Sequence, residues 1–229
     1  MASRPVFISK TSYPYYESED VEFVFHSGFA VSQKQKSILE LHNAFTNKHN
    51  SSRILEISSK STELIGVQLS AFNVPYNLNG MNVSLESIFQ GSKVFENGGP
   101  YHDIYKKGPI EAKKDPRIRD SGKIVAFSLD GEMFPNQPKD YFYNWIYSSA
   151  LYSYKELLDR LINYDVFSDI EFNPKKSLNC QARTVAILRG LIGANKLDVA
   201  MESPDSYLKT VYQTDKKDKE IRQLSLFDM

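Results

Sequence analysis

Apolar positions recur along this chain at two periods, and each period predicts a type of element. Residues 1–20 show neither period, mixing prolines, tyrosines and acids, which predicts an irregular, aromatic-rich lead-in. Val21 to Phe25 (VEFVF) alternates apolar and acidic residues as a short half-buried strand does. Over residues 32–49, Ile38, Leu41 and Phe45 fall at helical spacing beneath a polar face of lysines and glutamines, which predicts a surface helix. Ile54 to Ile57 and Val67 to Phe72 are β-rich runs that predict a pair of short antiparallel strands. Asn79-Gly80 predicts a tight turn, followed by a helix from near Ser84 to about Phe95.

After the Gly98-Gly99-Pro100 break, the charged stretch through Asp120 predicts a short solvent-facing helix stopped before Pro116. Tyr141 to Tyr164 reads as one long helix whose apolar faces include Phe142, Trp145, Ile146, Leu151, Leu157, Leu158, Leu161 and Ile162. The segment QARTVAILRGLI predicts a last strong helix, closed by Gly190 and Gly193. No repeat, linker or compositional break divides the chain. The pattern predicts a helix-dominated α+β domain with a small antiparallel sheet over residues 1–213 and a charged tail over 214–229.

Composition narrows the function. The 229 residues are 41% hydrophobic, enough for a sizeable core, and 28 basic residues balance 28 acidic ones. A chain without net charge does not coat nucleic acid non-specifically, so DNA contact would need a local patch, a pocket for a modified base, or recruitment by a partner. The single cysteine, Cys180, excludes an internal disulfide and a cysteine-rich zinc site, and is expected to be a buried structural thiol. No export signal and no apolar run of membrane-spanning length is legible, so a cytoplasmic location is expected. Phosphate-loop, dinucleotide-fold, nucleophile-elbow and zincin motifs are missing, and His26, His42, His49 and His102 are too scattered to read as ligands. No metal and no cofactor is expected.

One helical face carries candidate chemistry. Glu86, Gln90 and Lys93 stand at i, i+4 and i+7, so a helix projects all three to one side while Leu85, Ile88 and Phe89 point elsewhere. Periodicity alone favours an ordinary solvated stripe, with Glu86 near the positive helix N-terminus. The longer string LSAFNVPYNLNGMNVSLESIFQGSK, however, resembles the opening signature of the NADAR family, whose name records an association with NAD and ADP-ribose. That signature runs S-x-F, then a glycine ahead of a glutamate, then Gln and Lys four and seven residues on. Ser70, Phe72, Gly80, Glu86, Gln90 and Lys93 stand at these positions. Farther on, Asp169, Asn179 and Arg189 match the family's later motifs, while Phe172 replaces its tryptophan, Asn173 and Ala182 two of its glycines, and Ala186 its methionine. The likeness covers roughly residues 65–190. FAVSQKQKSI, LEISSKS, FQGSKVFENGGPY and DIEFNPKKSLNCQAR further resemble the NADAR antitoxins paired with a toxin that ADP-ribosylates guanine in DNA.

That resemblance implies a hydrolase that cleaves the N-glycosidic bond between guanine and the distal ribose, with ADP-ribosylated DNA as substrate, ADP-ribose as product and the toxin as partner. Such a reaction passes through an oxocarbenium-like transition state, which asks for negative charge beside C1, a proton for the leaving nitrogen and an activated nucleophile. Glu86, Lys93 and Asp169 are the implied catalytic residues. Lys93 acts either as an amine forming a Schiff base or, if charged, as a phosphate clamp. The implied ligand-binding residues are Ser70, Phe72, Asn73, Gln90, Phe172, Lys176, Asn179 and Arg189, with Trp145 a further stacking candidate better read as core. Two alternatives stand beside this reading: an N-glycosidase for a small phosphorylated metabolite of the riboflavin type, and a non-catalytic antitoxin that binds ADP-ribose or the toxin. Finally, Gln223, Leu224, Leu226 and Phe227, in QLSLF, resemble the peptide that docks on bacterial sliding clamps, which implies recruitment to replicating DNA.

Overall fold

The computed structural model describes residues 1–49 and 53–214, and the motif at Gln223–Phe227 lies outside them. In chain order the elements are β1 (Ala2–Ser9), β2 (Tyr16–Phe23), α1 (Val31–His49), β3 (Ile54–Glu56), α2 (Leu64–Leu69), β4 (Pro75–Leu78), β5 (Met81–Ser84), α3 (Leu85–Gly91), β6 (Lys93–Phe95), a 3₁₀ turn (His102–Lys106), α4 (Pro109–Lys114), α5 (Arg117–Asp120), β7 (Ile124–Leu129), β8 (Glu132–Pro135), α6 (Tyr141–Tyr152), α7 (Lys155–Leu161), β9 (Val166–Ser168), α8 (Gln181–Gly193), α9 (Leu197–Met201) and α10 (Pro204–Tyr212). Helix outweighs strand, 44% to 21%, as an α+β reading requires. No helix among the described residues is long and apolar enough to cross a membrane. The elements group into two compact units, each built from separate stretches of chain.

The first unit comprises Met1–Asn73 and Leu151–Asp198. Its four-stranded sheet has the order β2-β1-β9-β3, antiparallel except for the parallel pair β3–β9. The lead-in is therefore a hairpin rather than irregular chain. Its second strand is legible in the sequence only at its end, Val21–Phe23, because it is a sheet edge that carries Glu17, Glu19, Asp20 and Glu22, charges that discourage further strand pairing. Val6, Val21, Phe23, Ile38, Leu41, Phe45, Ile54, Val166 and Ile170 make one core, so the three residues that marked the surface helix are the ones α1 buries. The expected strand at Val67–Phe72 is wrong: its first part belongs to α2, which buries Ile65 and Leu69 one helical turn apart. Over so short an apolar run the two periods do not separate.

The long helix expected from Tyr141 to Tyr164 is two. Ser153 and Tyr154 are weak helix formers, and Tyr154 leaves the helical region (φ −103°, ψ 71°) before α7 begins. α8 forms where expected, but Gly190 lies inside it and does not cap it; it lets the helix approach the β1–β2 turn, where an added Cβ would sit 2.4 Å from the Tyr15 carbonyl oxygen and 2.5 Å from that of Lys10. Gly190→Ala is thus expected to destabilise the protein by about 1–3 kcal/mol, measured by urea unfolding.

The second unit comprises Val74–Ala150 and, among the described residues, 199–214. The β4–β5 hairpin turns at Asn79 and Gly80, both at positive φ (50° and 85°), as an Asn-Gly turn requires. A second, three-stranded antiparallel sheet runs β6-β7-β8. Its aromatic core stacks Phe127 on Phe142 at 4.4 Å between ring centroids. Trp145 packs edge-on against Tyr207 and belongs to this core.

The short helix before Pro116, α4, is solvent-facing as expected apart from Ala112, but the acid that follows it is buried. Asp115 is 5% exposed, accepting hydrogen bonds from Arg117 Nε (2.9 Å), Arg117 Nη2 (2.8 Å) and Lys107 Nζ (2.7 Å). The Arg117 guanidinium, then Lys107, hold its carboxyl well below the usual carboxylate range. A carboxylate so depressed stabilises the fold above its unfolded pKa of about 3.9, and that stability is lost as pH falls further. Asp115→Asn is expected to lose about 2 kcal/mol at pH 7 in urea unfolding, with the gap to wild type narrowing below pH 4.

Candidate functional site

In the second unit the residues of the Glu-Gln-Lys spacing form one hydrogen-bonded chain. Ser84 caps α3, its Oγ accepting from the Ser87 N–H at 3.1 Å, and so fixes Glu86 in the first turn. Gln90 Nε2 donates to Glu86 Oε1 at 2.7 Å, and Lys93 Nζ donates to Gln90 Oε1 at 2.6 Å. The helix does not reach Lys93, as the expected span to Phe95 required: it ends at Gly91, and Lys93 opens β6, where Val94 and Phe95 suit a strand. The amine nevertheless returns to the same face. Lys93 is 7% exposed, with Nζ 4.8 Å from the centroid of the Phe89 ring. Burial lowers its pKa to about 8, against an opposing pull from Glu86. Phe89 itself packs against Phe127, Phe142 and Tyr143, so the floor under the amine is rigid. Sequence reasoning set Phe89 aside as pointing elsewhere; the end of the helix at Gly91 is what brings Lys93 over it.

In the first unit Asp169 sits in the turn after β9. Its Oδ1 accepts from the backbone N–H groups of Glu171 (3.0 Å) and Phe172 (3.2 Å). Gln181, at the start of α8, hydrogen-bonds the Asp169 side chain and accepts through Oε1 from Ala71 N (2.9 Å) and Ser70 Oγ (3.2 Å). Ser70 and Asp169 are thereby joined through a glutamine that the motif comparison did not single out. Glu56 is a second unforeseen partner. Its carboxylate is 2% exposed and accepts from Ser168 Oγ at 2.5 Å and Ile170 N at 2.9 Å. Burial, then the Glu56 charge, push the Asp169 carboxyl well above the ordinary range. Ser168 Oγ also lies 2.9 Å from His42 Nε2, and burial lowers the His42 pKa to about 4, so this histidine is neutral at physiological pH.

The other expected ligand residues of this unit are less uniform. Phe72 is 65% exposed and Phe172 buried, so only the former presents a free ring face. Asn73 Nδ2 donates to the Val67 carbonyl at 2.8 Å. Lys176 is exposed. Asn179 Oδ1 is buried without a hydrogen-bonding partner among the described residues, an acceptor open to a hydroxyl or amino donor. Arg189 is committed to the loop before β9, through Nε to the Tyr164 carbonyl (3.1 Å) and Nη2 to Asp165 Oδ1 (3.3 Å). Cys180 is buried, and burial raises its thiol pKa far out of the nucleophilic range, as a structural thiol requires. Among the described residues no cluster of His, Cys, Asp and Glu has the grouping of a metal site.

Two comparisons with known proteins bear on this geometry. A family model described as DarT1-associated NADAR antitoxin matches residues 2–221. No curated protein matches the chain.

Proposed function

The chain belongs to the DarT1-associated NADAR antitoxins, and from that membership we propose that it reverses ADP-ribosylation of guanine in DNA by cleaving the bond between the base nitrogen and C1 of the ribose. The observation that carries this reading is Lys93. An ordinary lysine at pH 7.5 is neutral in roughly one molecule per thousand; with a pKa of about 8, roughly a quarter of the Lys93 amines carry a free lone pair. An amine that donates a hydrogen to Gln90 Oε1 keeps its lone pair out of that bond.

In the proposed reaction the modified ribose opens to its C1 imine with the base nitrogen. Lys93 Nζ then bonds to C1, the bond from C1 to the base nitrogen breaks, and that nitrogen leaves with a proton as the restored guanine amine. Water adds to C1 of the lysine imine, the bond to Nζ breaks, and the amine takes back its proton as ADP-ribose departs. Glu86 supplies negative charge for the cationic stages. For the proton to the leaving nitrogen the motif resemblance implies Asp169, a carboxyl pushed above the ordinary range.

The test is incubation of the purified protein with an oligonucleotide carrying ADP-ribosylated guanine, with mass analysis of base and sugar. Release of ADP-ribose with recovery of unmodified guanine is expected, and borohydride added during turnover should leave ADP-ribose fixed to Lys93. An intact substrate after prolonged incubation with folded protein overturns the reading and favours an antitoxin that acts by binding.

A further inference from the structure

Beyond the match to the family motif, the buried partners of Asp169 form an arrangement with a role of its own. β3 and β9 run parallel with Glu56 opposite Ser168, which places Glu56 beside the residue preceding Asp169. Its carboxylate then reaches past that position: Oε2 accepts from Ser168 Oγ, and Oε1 from the N–H of Ile170. The two residues that flank Asp169 in sequence are therefore both tied to one buried acid. Neither is a sheet hydrogen bond, and a strand end needs neither to form, since the Ile57 N–H already continues the ladder to the Ser168 carbonyl at 2.8 Å.

We propose that Glu56 is a positioning residue for Asp169: gripped at both carboxylate oxygens, it fixes the turn that carries Asp169 and sets its negative charge beside the Asp169 carboxyl. The proton bookkeeping is consistent. With neutral His42 donating from Nε2 to Ser168 Oγ, the serine hydrogen is directed to Glu56, which then accepts at both oxygens and holds the negative charge. Asp169 is hydrogen-bonded as well, by the Glu171 and Phe172 N–H groups and by Gln181, and burial raises both acids; the Glu56 charge felt at Asp169 is what favours the proton there. Of the two acids Asp169 is the less buried, 6% exposed against 2%. The other groups facing the pair are few. Glu171 adds repulsion to both acids, Cys180 is a neutral thiol, and Gln181 and Ser58 contribute hydrogen bonds without charge. Arg183 acts on Cys180 and donates to the Leu178 carbonyl.

This inference gives a mechanism for the proton donor assigned above and rests on that reading only for its catalytic consequence. Its test is therefore independent of turnover: carbon NMR titration of carboxyl-labelled aspartate, with the Asp169 signal identified by its loss in Asp169→Asn. Wild type should titrate at Asp169 well above the other aspartates. Glu56→Gln keeps an acceptor for Ile170 and removes the charge, so the Asp169 midpoint should fall by about one pH unit or more. Should that variant not fold, Ser168→Ala withdraws one donor from Glu56, shifts the proton toward Glu56 and should lower the Asp169 midpoint in the same direction. An unchanged midpoint in a folded variant, or an Asp169 that titrates with the exposed aspartates in wild type, overturns the proposal. If the midpoint moves as stated but wild type releases no ADP-ribose, the coupling stands and the hydrolase reading fails.

Discussion

Lys93→Ala is expected to abolish release of ADP-ribose from modified DNA, with a loss on the order of 10³-fold or more and little change in the unfolding midpoint. The magnitude follows from removing the nucleophile. Lys93→Arg separates the two roles the side chain can fill. Arginine stays charged at every accessible pH and holds a phosphate well, but has no lone pair to form an imine. It should be as inactive as alanine. Recovery of most of the activity by arginine would assign Lys93 to phosphate binding and remove the covalent step. The wild-type rate should also rise as pH approaches about 8, because the amine is protonated below that value, and fall again where Asp169 loses its proton.

Glu86→Gln is expected to reduce turnover by about 10²- to 10³-fold while moving the low-pH limb of the rate profile further down. The combination is diagnostic. Glu86 raises the pKa of Lys93, so removing its charge frees more of the amine at neutral pH. If Glu86 did no more than tune the lysine, the variant would be faster than wild type near pH 7. A slower enzyme whose lysine is more often neutral shows that the carboxylate acts on the cationic stages themselves. Turnover near or above wild type removes Glu86 from the chemistry.

Much of this architecture was legible from residue pattern alone. Ile38, Leu41 and Phe45 located α1, Asn79-Gly80 located a hairpin turn, and the spacing of Glu86 and Gln90 placed both on one face of α3. Lys93 came to the same place for a different reason. The i+7 argument assumed a helix that ends two residues earlier, and the amine returns by way of a strand and a hydrogen bond to Gln90. What stayed hidden has a common cause. Glu56, Ser168, His42 and Gln181 meet because β3 and β9, 112 residues apart at Glu56 and Ser168, lie side by side in parallel. No local period encodes such a meeting. The glutamate in ILE also breaks an apolar strand only once, so it reads as a surface residue until its buried partners are known.

The sheet of the first unit is assembled out of the order in which it is made. β1 lies inside the sheet, with β2 on one side and β9 on the other. The hairpin partner follows at once, but Ser9 waits 156 residues for Asp165, whose carbonyl accepts its N–H. At 5–20 residues per second that is roughly ten to thirty seconds of synthesis, during which a nascent strand bearing Val6 and Phe7 exposes an unpaired edge. The turn that carries Asp169 comes directly after β9, so it takes shape only when that edge is closed. A ribosome that stalls anywhere in the interval leaves a chain able to associate with its like and unable to hold its acid. In this protein, completing the sheet and completing that acid are the same event.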